Sequence, residues 1–268
     1  VRYDGYIFDI DGVLLDTSRS FIAAVVEAVS YATSSAAFTF DEVRQLKSIR
    51  GFNNDWNAAI AGASWVAYRQ EVDFPSFAQE VDRHGGGMSG LRASVNELTP
   101  QFEYHLTRLV QEAYGGTSAC RKLYGFDPEF IRIPGLWQTE VPMVITETIR
   151  PVLPQSGIVT GRNRREAEQA FELLGWRLPD GVVAVSDDPL LDKPNPAKLK
   201  CVIKNLQREY PLYVGDVRDD LELVKNYRQE TGRPLSFCLV GRNHLIGEYD
   251  MKVASVGELL KRMERSDA

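Results

Sequence analysis

The stretch YIFDIDGVLLD, residues 6–16, begins as the interior of a sheet and ends as something else. Tyr6, Ile7 and Phe8 suit a buried strand, and Asp9 and Asp11 then follow with only Ile10 between them. Along a continuing strand, alternate residues share a face, so the two carboxylates are expected to point the same way. Like charges about 4 Å apart repel by about 4 kcal/mol at an effective dielectric of about 20. Burial makes them costlier still unless a cation neutralises them. The stretch therefore reads as a core strand that delivers carboxylates to a site.

Short apolar runs of the same kind recur as SGIVT (156–160), VVAVS (182–186), PLYVGD (211–216) and LSFCLVG (235–241). Helical patterns separate the later ones. In RREAEQAFELLGW (164–176), Ala167, Ala170, Phe171 and Leu174 fall at helical spacing, with Gly175 as a stop. PAKLKCVIKNLQ (196–207) does the same with Leu199, Val202, Ile203 and Leu206. Strands that are apolar on both faces and alternate with helices indicate a parallel sheet covered on both sides. Between 17 and 145 the strand runs vanish. There SFIAAVVEAVSYA (20–32), FDEVRQLKSI (40–49), SWVAYRQEVDFPSFAQEVDR (64–83) and LTPQFEYHLTRLVQEAY (98–114) read as helices. HGGGMSG (84–90) reads as a flexible connector, since a glycine cradle for phosphate would follow a strand. The expected architecture is an α/β core from residues 1–16 and 146–268, with a mostly helical domain, 17–145, inserted after the first strand.

A formal net charge of -6 lacks the basic footprint of nucleic-acid binding. No apolar run reaches membrane-spanning length, because FIAAVVEAVSYA is interrupted by Glu27. The first residues carry no signal-peptide pattern. Cys120, Cys201 and Cys238 are far apart and odd in number, which suggests neither a disulfide framework nor a zinc site but reduced thiols in a cytoplasmic protein. His84, His105 and His244 show no ligand-like spacing, and Asp187 and Asp188 read as surface residues.

In an open parallel sheet, ligands bind beyond the carboxyl ends of the strands. Asp9 and Asp11 end the first run, Thr160, Gly161 and Arg162 the second, and Asp216, Asp219 and Asp220 the fourth, while Lys193 follows the third. Asp9-Ile10-Asp11-Gly12-Val13, Thr160 in VTGR, Lys193 in KPNP, and Gly215-Asp216 through Asp220 together resemble the four ordered motifs of the haloacid dehalogenase superfamily. The resemblance spans residues 5 to about 241 and implies a three-layer Rossmann-like core with a helical cap. It implies Asp9 as nucleophile and magnesium ligand, and Asp11 as proton donor and acceptor whose backbone carbonyl also meets the metal. Asp216 would complete the metal's carboxylates, and Asp220 would hold a metal water or orient Asp216. Thr160, Gly161 and Lys193 would bind phosphoryl oxygens, while Arg162 is open between a bidentate substrate contact and solvent. Asp219 is open between the site and solvent.

By the same resemblance, RGFNNDW (50–56) dips from the cap toward the substrate, offering Arg50, Asn54 and Trp56. The alternative for this segment is a turn followed by a helix cap. The implied activity is magnesium-dependent hydrolysis of a small phosphorylated metabolite through an aspartyl-phosphate. A phosphomutase of the β-phosphoglucomutase kind would share these motifs. A non-catalytic phosphoacceptor or metal-binding regulatory domain would use similar residues in another chain order. A calcium loop is disfavoured because Val13 and Leu15 stand where oxygen ligands would be needed.

Overall fold

The computed structural model describes residues 3–241 and 248–266; His244 lies outside the described residues. The chain divides into two compact units, Thr17–Glu140 and the combination of Val1–Asp16 with Val141–Ala268.

The first of these is helical: α1 (Phe21–Thr33), α2 (Phe40–Lys47), α3 (Asp55–Tyr68), α4 (Phe74–Arg83), α5 (Gly87–Ser94) and α6 (Pro100–Tyr124). Side-chain oxygens start most of them. Thr39 forms a capping box with Glu42, Asn54 caps α3, Asp73 caps α4 and Thr99 caps α6. In α1 the buried residues Phe21, Ala24, Val25, Ala28 and Val29 form one stripe, which packs on α3 and α6. Small residues let the helices approach, and a Cβ on Gly62 would lie 2.5 Å from the Phe38 ring. The stretch 64–83, expected as one helix, is two, because Asp73 and Pro75 open a new one at Phe74. Nor is 84–90 a flexible connector. Gly85, Gly86 and Gly87 all have positive φ, and a Cβ on Gly86 would lie 2.4 Å from the Arg50 carbonyl oxygen. Gly86 and Gly87 are packed closely against the Arg50–Gly51 backbone, and α5 begins at the second of them. α6 is interrupted at Gly116 (φ 56°), where a Cβ would meet the Gly135 nitrogen at 2.2 Å.

The second unit carries a parallel sheet of β1 (Gly5–Phe8), β4 (Ser156–Val159), β5 (Val183–Ala184), β6 (Pro211–Gly215), β7 (Ser236–Val240) and β8 (Met251–Val253), in the order β5-β4-β1-β6-β7-β8. Two short strands, β2 (Leu15–Asp16) and β3 (Val141–Pro142), pair antiparallel beside it. Its helices are α7 (Thr146–Ile149), α8 (Arg164–Leu174), α9 (Ala197–Leu206), α10 (Arg218–Thr231) and α11 (Val256–Ser266). Tyr6, Phe8, Ile158, Leu212 and Val214 face a layer that includes Ala170, Phe171, Leu259 and Leu260. Ile7, Val159, Tyr213, Phe237 and Leu239 face the opposite layer with Leu199, Val202, Leu223 and Val224. Every residue of β1, β4 and β6 is buried, as the two-sided apolar runs require. The result is the three-layer α/β architecture. Among the described residues no helix is long and apolar enough to cross a membrane.

One buried charge organises the helical unit. Glu112, with 0% side-chain exposure, accepts from Arg108 Nε at 2.8 Å and from the Phe130 and Ile131 amides at 2.7 and 2.9 Å. Burial pushes its carboxyl up, but the Ile131 amide, the Arg108 guanidinium and the neighbouring amides outweigh it and hold the pKa below the ordinary 4.5. Replacing Glu112 by Ala is expected to destabilise this unit by about 3 kcal/mol in urea melts at neutral pH, since donors are left buried. Because the folded pKa is depressed, that contribution is complete above 4.5 and fades as pH falls through the folded value. The gap between the parent and Glu112→Ala should therefore close in acid.

Candidate active site

β1 ends at Phe8, and the carboxylates lie beyond it. The Asp9 amide still donates to Val214 O at 2.9 Å, after which the chain turns. The Ile10 carbonyl accepts from the Val13, Leu14 and Leu15 amides at 3.3, 2.8 and 3.0 Å. Gly12 has φ 72°, and a Cβ there would sit 2.1 Å from Asp216 Oδ2. The shared strand face expected for Asp9 and Asp11 is thus replaced by a turn. It buries the Asp9 side chain and leaves that of Asp11 31% exposed.

Asp9 meets the other strand ends through Lys193. Its ammonium is buried, 2.9 Å from Asp9 Oδ2 and 2.8 Å from Asp220 Oδ1, while Asp9 Oδ1 accepts the Ile10 amide at 2.8 Å. Asn226, donating from α10 to the Pro194 carbonyl at 3.0 Å, anchors the lysine's segment. Asp220 stands in the first turn of α10, close under the end of β6. A Cβ on Gly215 would lie 2.4 Å from its Oδ2. Asp220 Oδ1 takes bonds from Lys193 and from the Tyr213 hydroxyl (2.9 Å), and Oδ2 takes the Asp216 and Val217 amides at 3.1 and 3.3 Å. Four donors meet a carboxylate with about four acceptor positions. Of its two expected roles, Asp220 is therefore fitted to orienting Asp216, and it also holds Lys193, which was not expected of it.

Asp9, Asp216 and Asp220 each offer an oxygen within 4.8 Å of the others. Burial raises the Asp9 pKa to about 7; Lys193 opposes the rise, while Asp220 and Asp11 add to it. Burial also lifts Asp216 well above the carboxylate range, helped by the charges of Asp220 and Asp9. Lys193 stays an ammonium, because the attraction of Asp220 and Asp9 overcomes a burial that works against its charge. Asp219 is buried, which excludes the solvent position, and burial followed by the charge of Asp220 brings it to about 6. Crowded, hard oxygen donors under this electrostatic load fit a hard divalent cation, with Asp9 and Asp216 as its carboxylates.

On the neighbouring strand end, the Thr160 amide bonds to Ala184 O at 3.0 Å and its hydroxyl oxygen accepts the Arg162 amide at 3.2 Å. A Cβ at Gly161 would meet nothing within 4 Å, so packing inside the chain does not demand glycine there. Of its two expected places, Arg162 does not take the one in solvent. Its side chain is 1% exposed and donates from Nε and Nη2 to Asp11 Oδ1 at 2.9 and 2.7 Å. Tyr213 was given no role by its sequence context, where an aromatic two residues before Gly215-Asp216 reads as core. The signal it does carry is a hydroxyl in a strand interior, which must find a partner when buried.

In the helical unit, Asn54 Oδ1 accepts the Trp56 and Asn57 amides at 2.9 and 3.3 Å, which is the helix-cap alternative. Trp56 is partly buried against the helical core, edge-on to Tyr124 with ring centroids 6.2 Å apart. Asp55 pairs with Lys47 at 2.9 Å, and Arg50 is exposed.

No family model matches the sequence, and no curated protein matches it. Solved structures do share the fold. Phosphatase Tt82 from Thermococcus thioreducens is 24% identical with a TM-score of 0.68, covering 97% of this chain and 98% of its own. A hydrolase from Pseudomonas syringae is 14% identical with a TM-score of 0.61, covering 98% of both chains. CbbY from Rhodobacter sphaeroides, solved in complex with phosphate, is 15% identical with a TM-score of 0.56, covering 96% of both.

The cluster's protonation sets a test of cation binding. Because the folded Asp9 pKa lies near 7, a proton competes with the metal below that pH and is lost above it. Magnesium should therefore raise the melting temperature more at about pH 8 than at about pH 5.5. Asp216→Asn should remove the shift. Gly12→Ala should weaken it strongly, because the new Cβ displaces the Asp216 carboxylate.

Proposed function

We propose that this chain is a magnesium-dependent phosphomonoesterase of the haloacid dehalogenase type, acting on a small phosphorylated metabolite through an aspartyl-phosphate on Asp9. The observation that carries the proposal is Lys193 Nζ lying between Asp9 and Asp220 beside a third carboxylate, at the strand ends of a fold shared with phosphatases. A buried carboxylate oriented by a lysine and an amide is poised as a nucleophile. Magnesium held by Asp9, Asp216 and the Asp11 backbone carbonyl would neutralise charge on the phosphate and on these carboxylates.

Asp9 attacks phosphorus, and the bond to the leaving oxygen breaks with a proton passing to it from Asp11. Water then attacks the aspartyl-phosphate and gives its proton to Asp11, and Asp9 is released as a carboxylate. Thr160, Gly161 and Lys193 stabilise the charge that spreads over the phosphoryl oxygens. Arg50, with Trp56, is the proposed reader of the rest of the substrate, the Asn54 side chain being engaged in the cap of α3. The three free thiols suit a reducing compartment, and we place the protein in the cytoplasm.

Asp9→Asn is expected to lower magnesium-dependent phosphate release from 4-nitrophenyl phosphate by roughly a thousandfold or more while the melt stays cooperative. Acid-quenched wild type should carry a phosphoaspartate that this variant lacks. Normal turnover by Asp9→Asn would remove the nucleophile from the proposal. A requirement for a sugar bisphosphate would assign a phosphomutase, and a lasting phosphoaspartate without turnover a regulatory phosphoacceptor.

A further inference from the structure

We propose that Arg162 is the positioning residue for Asp11, anchoring one carboxylate oxygen so that proton transfer is confined to the other. The proposal rests on Asp11 being the proton donor and acceptor of the reaction. Both Arg162 bonds, from Nε at 2.9 Å and Nη2 at 2.7 Å, end on Oδ1. Oδ2 takes no hydrogen bond from any described residue. A fork spread over both oxygens would have occupied the whole carboxylate. This geometry occupies half of it.

The clamp is itself held at several points. The Arg162 amide donates to Thr160 Oγ1 at 3.2 Å, its carbonyl accepts the Ser186 amide at 2.8 Å, and its Nη1 reaches the Glu166 carbonyl at 3.4 Å. The Arg162 backbone is thereby tied to Thr160 and to the segment after β5, and its guanidinium to α8. Asp11, by contrast, stands in a turn with 31% of its side chain exposed, where a short side chain would otherwise sample several rotamers. Catalytic geometry needs tighter control than that. The arginine that the sequence offers to substrate is thus committed to the carboxylate that moves the proton.

The role predicts a dependence on the leaving group. When the phosphorus–oxygen bond of an alkyl phosphate breaks, the electron pair stays on an alkoxide that must take the proton from Asp11 Oδ2. A 4-nitrophenolate departs without one. Arg162→Lys keeps the buried charge but loses the two-pronged hold. In the magnesium-loaded protein it should lower kcat/KM, which reports the step that expels the leaving group, at least about tenfold more for glycerol phosphate than for 4-nitrophenyl phosphate, with KM for neither substrate raised. Adding it to Asp11→Asn should give no further selective loss. Arg162→Met, with folding checked by thermal melt, should repeat the pattern. Equal losses on both substrates, or a raised KM with kcat intact, would overturn the positioning role while leaving the phosphatase reading in place. A wild type inactive on both substrates would remove the reading and this inference together.

Discussion

Carboxylates cannot be buried side by side without something positive among them, and this constraint shapes the whole edge of the sheet. Three of them converge within 4.8 Å, and Lys193 touches two. The other parts of the site serve that junction. Tyr213 and two backbone amides fill the remaining positions on Asp220. Gly215 and Gly12 lack side chains where a Cβ would collide with the Asp220 and Asp216 carboxylates. Strands buried on both faces supply the rigidity, because each places its last residues without freedom to relax away from the charge.

The lysine offsets the repulsion only in part. Asp9 and Asp216 still hold their protons above the ordinary range, the first to about 7. That residual load is the electrostatic counterpart of a cation site: the protein keeps a deficit of positive charge where a divalent ion and an anionic substrate would meet. Only with such an ion in place would this edge of a chain of net charge -6 present positive charge to an anion.

Much of the fold was legible because β1, β4, β6 and β7 are apolar on both faces and helices separate them. β5 shrank to two residues, and β8 is three residues long, too short for a pattern to stand out. Chain order and strand direction also make legible the placing of Asp9, Thr160 and Asp216 just beyond their strands, with Lys193 in the segment between β5 and α9. What could not be read was pairing across distance. Arg162 finds Asp11 from 151 residues away, and nothing local distinguishes it from an arginine aimed at substrate. The turn after Phe8 is hidden in the sequence because apolar Ile10, Val13 and Leu14 continue the strand's composition while Gly12 breaks its geometry. In the helical unit, polar residues that invite a ligand reading include Asn54, whose work is to begin a helix.

The small ribbon of β2 and β3 pairs Leu15 with Pro142 and Asp16 with Val141, and the Met143 amide adds a bond to Leu14 O at 2.8 Å. The chain therefore departs from the sheet unit and rejoins it at adjacent points, like a loop drawn through a clasp. Loop-closure entropy grows only logarithmically, so doubling the excursion costs about 0.6 kcal/mol. The sheet is thus nearly indifferent to how much polypeptide is hung on that clasp. A scaffold built this way can exchange one excursion for another of different length or composition and keep its strand ends, with the charges they carry, where they were.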